Sequence, residues 1–219
     1  MEKSIITKRI EHLRRDNEKI TQTLIAMDGT DLEHHADNFK HLAIDAALRS
    51  ELITCRMRHL LYDYTDVRKP EYLTSAAAVQ GIVIREYSDM FEIELPCLFP
   101  HRKQRQSSEY QTDPLYFLFS QYTDSHPVKK YTDCVVCFVH EYNKDLSSNN
   151  SCYNRRIRDY DNLEQKQMLD VIAAFILQDD GGMCCDSYNT VALGDADKTR
   201  IFIMPRNRFC TWLAEQNME

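Results

Sequence analysis

No apolar run in the 219 residues approaches the about 20 needed to span a bilayer. The first residues are charged and amphipathic rather than signal-like, so the chain reads as cytosolic, with no membrane partner. A second Cys-x-x-Cys is also missing. The one present, Cys134 and Cys137, lies in a run that reads as a buried strand, where residues three apart face opposite ways and cannot share a zinc ion. The eight cysteines therefore read as structural thiols in a reducing compartment. Basic residues are not in excess: 27 stand against 34 acidic ones, a net charge of −7, which excludes a protein that coats nucleic acid through bulk charge. Residues 1–80 hold 12 basic and 13 acidic groups and the remainder 15 and 21, so any nucleic-acid surface has to be local.

What is present suits one good core, or one core with a helical appendage. Ile6, Ile10, Leu13, Asn17, Ile20, Leu24 and Met27 alternate at spacings of four and three, a heptad seam with a polar residue at one position, of the kind that fixes register. Asp28-Gly29 breaks the helix, and a second helical pattern runs from about Leu32 to Tyr64, predicting an antiparallel hairpin. Pro70 ends it. The seam closes either on the second helix or on another subunit. His34, His35 and His41 match no metal-ligand spacing and read as a polar helix start.

Further on, Ile82–Ile84 and Phe91–Leu95 read as a β-hairpin, residues 101–112 as a polar loop, and Asp113-Pro114 as the start of a helix through Tyr122. Residues 134–140 read as a core strand and 143–154 as a long Ser/Asn-rich loop. Ser187–Leu193 and Thr199–Met204 read as a final strand pair around a turn that holds Asp195 and Asp197 for backbone reasons. A short helix docking through Trp212 closes the chain. The fold class expected is α+β, with residues 1–75 as the hairpin and 76–219 as the main domain.

One stretch stands apart. Asp159 and Asp161 are two residues apart, so in an extended segment their side chains leave on one side. An apolar helical stripe follows through Leu169, Ile172 and Ile176, with Asp161 or Asn162 as its cap and Lys166 about one turn in. Asp179-Asp180-Gly181-Gly182 then makes a sharp turn. Caps, turns and solvated lysines account for each of these residues taken singly.

Taken together, Asp159-Tyr160-Asp161-Asn162-Leu163, a nearby lysine, Leu169-Asp170-Val171-Ile172 and Asp179-Asp180 resemble the RusA family of Holliday junction resolvases. That family carries Asp-x-Asp-Asn-Leu-x-Lys, a Leu-Asp pair in the same helix and an acidic turn after it. Phe91–Pro96 resembles the family's opening strand and Thr199–Met204 its closing strand, so the resemblance covers roughly residues 80–205. Lys166 stands one residue later than the family spacing, with Gln165 in the lysine's place. The loop Pro96-Cys97-Leu98-Phe99-Pro100-His101 lacks the family's Pro-Ser-x-Asn character.

The resemblance implies a mixed sheet with packed helices and Mg²⁺-dependent (or Mn²⁺-dependent) hydrolysis of branched DNA by a homodimer. Asp159, Asp161 and Asp180, with Asp179 as its alternate, would be the metal ligands, and Lys166 the group that stabilises the leaving oxygen. Arg155, Arg156 and Arg158 abut the aspartates, and these with Arg102 and Lys103 are the candidate DNA contacts. Two other readings stay open: a RusA-like module without catalysis that binds DNA or a partner, and an interaction protein acting through the helical hairpin.

Overall fold

The computed structural model describes residues 2–99, 109–144, 157 and 159–216, and the chain divides into two units, residues 1–68 and 69–219. The dividing point falls at Arg68 rather than at residue 75, which lies inside a helix of the second unit. The protein is mixed α+β: six α-helices and a five-stranded sheet among the described residues. No helix is long and apolar enough to cross a membrane among them.

The first unit is two helices, α1 (Glu2–Asp28) and α2 (Ala36–Tyr64). Arg9 pairs with Asp63 at 2.7 Å, Asp16 with Arg56, and Thr23 donates to Asp45 at 3.3 Å. As the number rises along α1 it falls along α2, so the two run antiparallel. The heptad seam divides. Its every-seventh members Ile6, Leu13, Ile20 and Met27 are at least half-buried, whereas Ile10, Asn17 and Leu24 are exposed. Arg9, Asp16 and Thr23 take their place beside α2, because the ion pairs and hydrogen bond just named turn α1 by one residue. Leu13 and Ala46 are the buried residues of this unit among those described. His34 lies in the connection and pairs with Asp31 at 2.7 Å.

The second unit opens with a helix that the sequence reading missed. Pro70 does not merely end α2. It sits in the first turn of α3 (Lys69–Gln80), where its missing N–H leaves nothing unpaired. Gly81 closes α3 in the left-handed region, at φ 78°, and the next N–H reaches back to the Ala77 carbonyl at 2.9 Å. β1 (Val83–Glu86) and β2 (Phe91–Leu95) form the expected antiparallel hairpin. α4 (Glu109–Ser125) begins four residues before Asp113, so Pro114 falls within it. Gln111 and Thr112 are buried there, and Gln111 hydrogen-bonds Cys97.

β3 (Cys134–Asn143), β4 (Cys185–Gly194) and β5 (Lys198–Pro205) complete the sheet, in the order β1-β2-β5-β3-β4. β4 and β5 do not pair with one another, contrary to the sequence reading. β3 lies between them, parallel to β4 and antiparallel to β5. The reason is burial: nine of the ten β3 residues are buried, so the backbone N–H and C=O groups on both of its edges need strand partners. Cys134 faces the large core under α3, α4 and α5 (Lys166–Phe175). Cys137 faces a smaller core capped by α6 (Phe209–Gln216) through Trp212. In the turn before β5, Asp197 accepts the Asn143 N–H at 2.8 Å.

Candidate functional site

The parallel pair sets the site's position. A chain leaving β3 must cross over to enter β4 in the same direction, and α5 makes that crossing. The end of α5 returns to the start of β3, where Lys130 donates to the Ala174 carbonyl at 3.1 Å and Tyr131 bridges Leu177. Its beginning therefore lies toward the carboxyl ends of β3 and β4, the end of an open sheet where ligands collect.

The acidic motif reaches this end in a form different from the one expected. Neither Asp161 nor Asn162 caps α5. Tyr160–Asn162 is a single 3₁₀ turn, Leu163 returns to extended backbone and buries its side chain, and Gln165 occupies the cap position. Lys166 is thus the first helical residue, not one turn in. Its ammonium donates to both carboxylate oxygens of Asp170, at 2.8 and 3.0 Å. That hydrogen bonding raises the lysine's pKa, with smaller contributions from the charges of Asp180 and Glu164.

Asp159 and Asp161 are exposed on either side of Tyr160, and Asp159 makes no cap hydrogen bond. Asp179 accepts the Gly181 N–H at 3.1 Å, an Asx turn, and Asp180 beside it is exposed. Lys166 and Asp180 are near enough to sense one another. The four aspartates are not brought into one cluster: among the described residues no three His, Cys, Asp or Glu side chains are grouped to hold a metal ion. Arg155, Arg156, Arg158, Arg102 and Lys103 lie outside the described residues.

What sequence reasoning missed lies beneath the turn. Gln165 Nε2 donates to Asn189 Oδ1 at 2.6 Å and stands 3.3 Å from His140 Nε2. His140 Nε2 is itself 3.3 Å from Asn189 Oδ1. Either the imidazole donates to Asn189, or it accepts from Gln165. In both tautomers its buried Nδ1 has no partner, an omission that costs about 1–3 kcal/mol. Burial lowers the His140 pKa against a smaller upward pull from the Asn189 hydrogen bond, which keeps the ring neutral. Tyr160 stacks on it at 5.8 Å and Phe99 meets it edge-on at 5.6 Å. Glu164, next to Gln165, is also buried with one carboxylate oxygen unpartnered.

The consequence is a fixed platform. Two half-buried amides fix the neutral imidazole, the imidazole stacks with Tyr160, and the two exposed aspartates flank Tyr160 in the chain. The available signal was the polar end of an otherwise apolar strand, His140, together with a glutamine where the resembled family has its lysine.

The chain matches the model of a "Family of unknown function (DUF6100)" over residues 2–219. No curated protein matches it.

Proposed function

The chain belongs to the DUF6100 family, and on the geometry of its acidic turn we propose that the second unit is a RusA-like nuclease-type domain: a metal-dependent, structure-selective endonuclease acting on branched DNA. One observation carries the reading. Asp159 and Asp161 are exposed on a turn that stacks through Tyr160 on His140 of the sheet, at the carboxyl end of its parallel strands, with Lys166 five residues on and Asp180 electrostatically linked to that lysine.

The donor set fits a hard cation in kind. Carboxylate oxygens suit Mg²⁺ or Mn²⁺, and Asp159, Asp161 and Asp180 would hold it, with Asp179 in reserve. Bound there, the ion would supply charge neutralisation at a phosphodiester. The chain's own part is positional: the His140–Gln165–Asn189 group holds the turn, and Lys166 presents its ammonium to the leaving oxygen once it releases Asp170. Arg155, Arg156, Arg158, Arg102 and Lys103 would follow the DNA backbone, giving binding that weakens as salt rises. Four-way junctions are cut on two strands, and one site per chain calls for a two-fold homodimer. Residues 1–68 would serve it as an appended helical hairpin. Recombination or repair in the cytoplasm is the matching setting.

A second reading, a RusA-like module that binds branched DNA or a partner without cutting, is favoured by one observation. Lys166 is engaged twice by Asp170, and Gln165 in the family's lysine position is committed to Asn189. Incubation of four-way, forked and linear DNA with the protein in Mg²⁺, Mn²⁺ or chelator separates the two. The nuclease reading expects metal-dependent symmetric nicking of the four-way junction, abolished by Asp161→Asn, and a rise in melting temperature with Mg²⁺ that the variant lacks. Binding without nicking, and no Mg²⁺ response in wild type, leaves the module.

A further inference from the structure

We infer that the outer face of α2 is a self-association surface, on which a second copy of this chain packs its own α2 antiparallel. The inference does not rest on the nuclease reading.

α2 faces α1 with Leu42, Ala46, Ile53 and Leu60, all at least half-buried. At 100° per residue, Ile44, Leu48, Leu52 and Cys55 fall on the side turned away from α1. These residues are exposed, at 47%, 60% and 44% for the three aliphatics. The line continues to His41 on one side and to His59 and Tyr62 on the other, at spacings of three and four over about three heptads, the pattern of a coiled-coil seam. Leu13 and Ala46 alone are buried in the unit among its described residues. A helix pair with so small a core gains most of its stability from packing elsewhere.

Charge and symmetry select the occupant. A two-fold interface needs each contact to be returned by its mirror. With the axis at Ser50, Leu48 of one copy meets Leu52 of the other, and Leu52 meets Leu48. The same axis sets Asp45 within one residue, about 1.5 Å, of the level of Arg56 of the other copy, twice, on one flank of the seam. Both side chains remain 44% exposed. Within one chain Asp45 already holds Arg49 and Arg56 already holds Asp16. The new pairs would therefore join two existing ion pairs into a row of four alternating charges. A parallel arrangement would instead leave Asp45 and Arg56 of the two copies on opposite flanks of the seam, where these pairs cannot form.

The test uses the full chain. Light scattering across the micromolar range is expected to give twice the 25.8 kDa chain mass, and Leu48→Glu with Leu52→Glu to return it to one chain. Asp161→Asn should leave the mass unchanged, which keeps this outcome separate from the fate of the nuclease reading. Because the double variant can fail by unfolding its helices, a second measurement fixes the geometry. Ile44→Cys is expected to form an intermolecular disulfide with the partner's Cys55 under mild oxidation, absent in wild type and lost on adding Cys55→Ser. Eleven residues along one helix separate the two thiols by about 16 Å, so no intrachain bond competes. A monomer at every concentration, a dimer that survives the two glutamates with helicity intact, or wild-type crosslinking through Cys55 itself would overturn the proposal.

Discussion

Gly194 ends β4 beneath the side chain of Glu141, which is buried and ion-paired to Lys198 at 3.6 Å and Arg200 at 3.4 Å. A methyl group at Gly194 would come within 2.7 Å of Glu141 Cγ and closer still to its carboxylate. Gly194→Ala must therefore push a buried charge off its partners, and a loss of about 1–3 kcal/mol is expected, read as a lower urea midpoint at unchanged slope. His140 gives the second residue-scale expectation. Its pKa is lowered in the folded chain, mainly by burial, so the unfolded chain takes up the proton first. Its contribution is whole above the ordinary histidine value of about 6.5 and is lost as pH falls from there toward the folded-state value. Wild type should lose up to about 1.4 kcal/mol per pH unit to this one group over that window. Denaturant titrations at a series of pH values should show His140→Gln losing that part of the slope. At this scale the sequence reading singled out the aspartates through the family resemblance and missed His140. Nothing in the order of residues tells that His140 will lie under a turn twenty residues later.

Elements were more legible than their edges. The hairpin β1–β2, the core strand β3, the motif helix and the short helix of Trp212 all follow from apolar period and turn residues, which act locally. What failed depended on pairing at a distance. β4 and β5 look like a hairpin because only three residues separate them, yet β3, buried along nearly its whole length, lies between them and pairs with both. The heptad seam of α1 was read in the right place and a residue out of phase, since Arg9, Asp16 and Thr23 find partners on α2 that one helix cannot announce alone. Lys166 moved from the helix interior to its first position because Leu163 is drawn into the core. The seam yields a direct expectation: Leu13→Ala should cost about 2 kcal/mol or somewhat more of the first unit's stability, while Asn17→Leu, on the exposed side, should change it little. Melts followed by helical circular dichroism compare the two.

At the scale of the whole molecule, the chain joins two units through Thr65-Asp66-Val67-Arg68, which carries no helix or strand and is largely exposed. Trypsin should therefore cut first after Arg68, the Lys69–Pro70 bond being resistant to it, and N-terminal sequencing of the large product should begin at Lys69. A first cut within α2, after Arg56 or Arg58, would contradict the division. The sheet carries one more consequence, in time rather than space. Its middle strand is β5, which the ribosome makes last of the five. Until β5 emerges, β1–β2 and β3–β4 are two separate ribbons, each with an unpaired edge facing the gap. The second unit therefore cannot mature progressively during synthesis. It waits, open on both sides of one missing strand, and a nascent chain stalled anywhere before Pro205 is a substrate for chaperones rather than a partly working protein.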